Sequence, residues 1–278
     1  MPRSLILVPG PSGQPKLLLA GPGGARAEVF LHGAQVTSWV PADGRERLFL
    51  SELAEYAPGR AIRGGIPVIF PQVGAEGPLP NHGFARTQAW QPLEAEEGQA
   101  HLHLSDKDNT RALWPHAFLA ELTVRLGARS LTTTLAVTNT GDSPLSFTTA
   151  LHTYLRVEDI TQARLQGLRG LRLRDMAQGD AERVEGEAEI CFGDEVDRLY
   201  FNAPAKVELR EGDRSTTIVA AGFPDLVLWN PGPIKGEKLR DLEPEGYRRM
   251  VCVEAAALAA PITLAPGQRW EGSQTLKS

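Results

Sequence analysis

The chain has 278 residues, a length that suits one large β-domain and is ample to bury a core. Its 29 basic residues are dispersed and outnumbered by 34 acidic ones, a net charge of -5 that argues against a nucleic-acid footprint. The two cysteines, Cys191 and Cys252, lack CxxC spacing and a dense set of partners, which excludes a disulfide framework or structural zinc site and fits a reducing compartment.

At the N-terminus the apolar run from Leu5 to Val8 is too short for a signal-peptide core. No later stretch approaches a membrane span, so a soluble, cytoplasmic protein without membrane contact is expected. RAEVFL (26–31) and AQVTSWV (34–40) follow as strand candidates. SELAEY (51–56) predicts a helical turn or two.

AIRGGIPVIFPQVG (61–74) places Arg63 before a glycine pair. The glycines let the backbone turn closely beside a bulky group, and the arginine offers a fork of donors to hydroxyls or a phosphate; the other reading is a structural ion pair. PNHGFAR (80–86) gathers Asn81, His82 and Arg86 around Gly83, which suits a polar binding loop and also a plain surface turn. His101 and His103 share a strand face without a third ligand, so no metal site is predicted.

SDKDNTRALW predicts a short helix capped by Ser105 and stopped before Pro115. Phe118, Ala120, Leu122, Val124 and Leu126 then alternate with polar residues, and Leu131, Thr133, Leu135 and Val137 repeat the period after a turn at Gly127 to Ser130. The pair reads as a β-hairpin.

LSFTTALHTYLRV (145–157) continues the strands, with Ala150, His152 and Tyr154 on one face and Leu151, Thr153 and Leu155 on the other. A histidine there is a core residue bonded to a neighbour or a catalyst. Asp197 lies in the charged stretch DEVDRLY, where carboxylates are usually solvated. AKVELRE (205–211), STTIVAA (215–221) and LVLW (226–229) are further strands. In MVCVEAAAL, Glu254 interrupts an otherwise buried strand, so it must be paired, protonated or facing a polar cleft.

No repeat, low-complexity segment or linker divides residues 1–278. The predicted fold is all-β, a single large antiparallel β-sandwich with a few short connecting helices.

Taken in order, IRGGIPVIFP, NHGFAR, WPHAF, ALHTYLRV, DRLY, VLWNPGP and EGYRRMVCVE resemble the hexose-6-phosphate mutarotases of the aldose 1-epimerase superfamily. The resemblance runs from about HGAQVTSW to VCVEAA, and the ordered set is far more specific than any one motif. It implies a galactose-mutarotase-type sandwich with a sugar cleft and no metal or organic cofactor. By motif, His152 would be the catalytic acid and Glu254 the catalytic base. Arg63, Asn81, His82 and Arg86 would bind substrate, and Asp197 a sugar hydroxyl. Arg86 favours a phosphorylated sugar, since free-sugar epimerases lack it. One departure is FPQVG, with Gln72 and Val73 where relatives commonly carry FPxFG.

The chemistry fits that pair of residue types. Mutarotation opens a cyclic hemiacetal and recloses it on the other face, so one proton leaves the C1 hydroxyl while another reaches the ring oxygen. A carboxylate and an imidazole suffice. The implied partner is a hexose phosphate, glucose 6-phosphate first, with no protein partner indicated. Competing readings are an epimerase of unphosphorylated aldoses, a silent carbohydrate-binding sandwich, and a glycosidase pairing Asp197 with Glu254.

Overall fold

The computed structural model describes residues 6–75 and 77–278. The expectation for the N-terminal apolar run falls partly, at Leu5, outside the described residues. The predicted hairpin forms from Phe118–Leu126 and Ser130–Asn139, in register from Phe118 opposite Asn139 to Leu126 opposite Leu131. Its alternate residues Phe118, Ala120, Leu122, Val124 and Leu126 are buried, because the pleat sends every second side chain to one face.

Among the described residues the strands assemble into three antiparallel sheets of four, eight and nine strands. The four-stranded sheet is Leu7–Pro9, Pro15–Ala20, Arg26–Phe30 and Val36–Val40. The nine-stranded sheet carries the hairpin beside Arg269–Lys277. In the eight-stranded sheet, Val196–Tyr200 pairs with Asp225–Asn230, which pairs with Met250–Leu264, which pairs with Leu145–Leu151. Leu17 and Val36, Leu122 and Leu135, and Val251 and Val253 come from the three sheets and share one apolar cluster, so the layers pack as a β-sandwich.

Met250–Leu264 decides where the site lies. From Met250 to Ala257 every residue is buried, so both faces of this strand are covered. Val251, Val253, Ala255 and Ala257 enter the central core. Met250 and Cys252 pack with Phe49 and Tyr154, and Ala256 with Ile69 and Ala150, in smaller clusters on the opposite face. Glu254 belongs to that second face.

Three local expectations are corrected. SELAEY forms a turn rather than a helix: the Ser51 hydroxyl donates to Glu243 at 2.6 Å, and this distant partner fixes the segment. The connecting helix is Asp108–Leu113, and Ser105 ends the strand Gln99–Ser105 instead of capping it. Its first turn is closed by Thr110, whose hydroxyl accepts from the Lys107 N–H at 2.8 Å. LSFTTALHTYLRV is two strands, Leu145–Leu151 and Tyr154–Arg156, interrupted at His152 and Thr153.

Candidate functional site

The interruption is where the site begins. Leu151 lies opposite Ala255 and Tyr154 opposite Cys252, so stepping inward from either pair sets His152 against Glu254. The side chains meet with His152 Nε2 3.3 Å from Glu254 Oε1. On its other edge Glu254 is opposite Val227, and in the neighbouring row Cys252 is opposite Trp229, which is opposite Asp197. Residues as far apart in the chain as His152 and Glu254 thus join in two adjacent cross-strand rows on one face.

Aromatic rings frame the imidazole. Tyr154 stacks on His152 with ring centroids 4.8 Å apart, Trp229 meets it edge-on at 5.9 Å, and His82 does so at 5.6 Å. The His152 N–H of the main chain donates to Pro67 O at 3.0 Å, which ties the broken strand to the segment after the glycine pair.

That segment depends on Gly65. Its φ is +64°, and a Cβ there would lie 2.1 Å from the Val36 carbonyl oxygen, so only glycine passes between the four-stranded sheet and the site. Arg63 is thereby held at the rim. Its Nη1 donates to the Tyr154 hydroxyl at 2.9 Å and its Nη2 to Asp241 Oδ1 at 3.1 Å. The ion-pair reading of Arg63 is therefore correct in geometry, and Arg63 itself lines the cleft.

The NHGFAR loop closes against the turn after Phe70. Gly83 has φ +66°, with the Phe70 carbonyl oxygen 2.3 Å from where a Cβ would be. His82 donates through its backbone N–H to Gly74 O at 2.9 Å, while its ring Nδ1 accepts from the Gly74 N–H at 3.2 Å. The ring proton therefore resides on Nε2. Arg86 Nη2 donates to Asn81 O at 2.9 Å, and its buried Nε has no partner.

The electrostatics follow from burial. Glu254 is 3 % exposed and its carboxyl is raised well above the usual range, first by burial and then by the Asp197 charge. His152, 7 % exposed, is pushed well below its ordinary value by burial and then by His82, Arg86 and Arg63. Burial and the Arg86 and Arg63 charges drive His82 down to about 3, so it stays a neutral donor. Burial raises Asp197 to about 6 against the opposing pull of Lys235.

Arg63, Asn81, His82, Arg86, His152, Asp197 and Glu254 all line one cleft of about 470 Å³. A neighbouring cavity of about 440 Å³ shares Arg63, Asn81 and Arg86 with it. Val73, at the position of the departure from the usual motif, lines the cleft wall. The sequence reading missed Lys235, which reaches the cleft from the helix Gly232–Gly236, and Asp241, which holds Arg63. Neither carries a periodic signal. His101 and His103 lie on the strand Gln99–Ser105 of the nine-stranded sheet, where His101 Nε2 is 3.3 Å from Glu121 Oε1. Among the described residues no group of three or more His, Cys, Asp or Glu converges to hold a metal ion, and no helix is long and apolar enough to cross a membrane.

Fold and cleft together define a mutarotase-type β-sandwich, an isomerase whose polar groups surround a sugar-sized cleft. The chain belongs to the aldose 1-epimerase family, whose model matches residues 15–277. It is 40 % identical to a protein of Cenchrus ciliaris named "Putative glucose-6-phosphate 1-epimerase", over 98 % of this chain and 87 % of that one. A protein of the same name from Escherichia coli strain K12 is 35 % identical over 83 % of this chain and 79 % of its own. A crystal structure from Salmonella typhimurium, described as "a putative mutarotase", superposes with a TM-score of 0.87 at 28 % identity, covering 98 % of this chain and 96 % of that one.

Proposed function

We propose that the enzyme interconverts the α and β anomers of a hexose 6-phosphate, glucose 6-phosphate first, within one domain and in the cytoplasm. The names of its relatives favour that substrate. The observation that carries it is Arg86: among the described residues no carboxylate forms a salt bridge with it, whereas Arg63 is engaged by Asp241. A partly buried guanidinium with no carboxylate in salt-bridge reach among the described residues suits an anion. The exposed free thiol of Cys191 fits a reducing compartment.

In the reaction Glu254 takes the proton of the C1 hydroxyl as the C1–O5 bond breaks, and His152 delivers a proton to O5. The open aldehyde rotates about its C1–C2 bond, and the steps reverse on the other face. Before opening, the pair is carboxylate and imidazolium; afterwards it is carboxylic acid and neutral imidazole. Both states hold the same number of protons, so the pair acts as one unit and returns unchanged. The burial that disfavours both charges stabilises the neutral pair, which accompanies the open chain. His82 Nε2–H and Asp197 offer a donor and an acceptor to the sugar, and no metal or cofactor is required.

The test is NMR magnetisation exchange between the anomers of glucose 6-phosphate, run beside free glucose. Wild-type protein should accelerate exchange, and His152→Ala and Glu254→Gln should each lose about 10²- to 10⁴-fold in kcat. Arg86→Ala should raise KM for the phosphosugar about tenfold or more, the worth of one charge-assisted bond, and leave free glucose unaffected. If Arg86→Ala slows both sugars equally, the substrate is an unphosphorylated aldose. If folded wild-type protein accelerates no hexose phosphate, the proposal fails.

A further inference from the structure

Lys235 has no role in the chemistry above, yet its ammonium enters the cleft. It stands on the short helix Gly232–Gly236, whose start is fixed from below: the Gly232 N–H donates to Asn230 Oδ1 at 2.8 Å. Asn230, 1 % exposed, in turn donates to the carbonyls of Tyr247 and Met250, each at 2.8 Å. On the opposite side the Glu195 backbone packs so closely that a Cβ on Gly232 would lie 2.5 Å from the Glu195 nitrogen. Helix and rim loop are therefore locked together.

Across that junction Lys235 Nζ donates to Glu195 Oε1 at 2.6 Å and lies 3.7 Å from Asp197 Oδ2. One ammonium thus spans a carboxylate on the rim and a carboxylate on the floor. Among the described residues it is the cation within salt-bridge distance of Asp197. The other titratable groups coupled to Asp197 through charge are acids or a thiol: Glu195, Asp175, Glu254 and Cys252. Asp175 is itself held by Arg183 at 2.7 Å and Arg198 at 3.2 Å, so those cations are already engaged.

We propose that Lys235 is a positioning residue for sugar binding: anchored by Glu195, it keeps Asp197 an ionised, oriented acceptor for hexose hydroxyls when the sugar displaces water. The inference rests on the mutarotase reading and on Asp197 as a sugar ligand. Burial already holds Asp197 near the edge of ionisation, at about 6, with Lys235 pulling it down. A sugar that removes the remaining water strengthens both effects. Proton transfer stays with His152 and Glu254, so Lys235 should govern affinity and its pH dependence.

The experiment uses Lys235→Met, Lys235→Arg and Glu195→Gln in anomer exchange of glucose 6-phosphate across pH 5 to 8, with thermal melts to confirm folding. Lys235→Met should raise KM about tenfold or more at neutral pH, the worth of the weakened Asp197 bond, while kcat is kept. Its acidic limb of kcat/KM should move toward neutral pH relative to wild type. The substrate phosphate also titrates near pH 6, but it does so equally for every variant, so the difference reports the protein. Lys235→Arg should restore most of the affinity, and Glu195→Gln should raise KM more weakly, because it loosens the anchor of Lys235 while removing an acid that itself raises Asp197. A fall in kcat at constant KM, or an acidic limb that does not move, overturns the inference even where wild-type exchange is fast. No wild-type exchange overturns the mutarotase reading itself.

Discussion

Asp197 shows how a partly buried cleft carboxylate burdens the fold that holds it. Its carboxyl is raised from an ordinary 3.8 to about 6, chiefly by burial. The folded chain therefore binds this proton more tightly than the unfolded one, so stability falls as pH rises from about 4 through about 6, and the loss is complete above that. A shift of about two units corresponds to at most about 3 kcal/mol. Asp197→Asn should accordingly be more stable than wild type at pH 7.5 and little different at pH 4, as read by urea denaturation. A gain independent of pH would refute this. At the same scale, the seven residues that sequence reasoning singled out line one cleft, but sequence reasoning could not join them. Glu254 was legible as a carboxyl that a buried strand must explain, whereas its 3.3 Å approach to His152 depends on register between distant strands. Lys235 was not legible at all, since an exposed-looking lysine on a short helix follows no period.

Along the strand Asp225–Asn230, neighbouring side chains serve opposite ends. Leu228 is fully buried in the central core, and Trp229 faces the cleft with its edge toward His152 and Tyr154. Leu228→Ala should cost about 2–5 kcal/mol of stability and leave kcat/KM of the folded fraction unchanged. Trp229→Ala should lower kcat/KM and destabilise less. Equilibrium denaturation and exchange kinetics on both variants check the pair, and matching losses of activity would contradict the two-faced assignment. Elements of this kind were readable from period-2 patterning, as the hairpin Phe118–Leu126 and Ser130–Asn139 was. Arg164–Gln166, Arg172–Asp175 and Ala181–Val184 were not recognised, because such short strands carry too little alternation to mark them; Ala181–Val184 is exposed throughout. The broken strand at His152 also escaped notice, since its two halves keep one register and one hydrophobic pattern.

At the level of the molecule, the three sheets of the described residues share a single apolar cluster while the proposed reacting groups occupy the outer face of the middle strands. Protection should be graded accordingly. In hydrogen exchange read by mass spectrometry, amides of Phe118–Leu126, Ser130–Asn139 and Met250–Ala257 should exchange slowest, and those of the edge strand Ala181–Val184 among the fastest. Equal protection of that edge strand would show that the chain opens only as a whole. By itself the sequence determined the β class, the faces of the long strands and, through its ordered motifs, the kind of sugar chemistry, because alternation and turn chemistry act over a few residues. Only the tertiary structure decided that His152 lies against Glu254, that Asp241 occupies Arg63 while among the described residues no carboxylate forms a salt bridge with Arg86, and that Lys235 reaches Asp197. Those relations are distances between strands and loops far apart in the chain, fixed by sheet register and packing that no local pattern encodes.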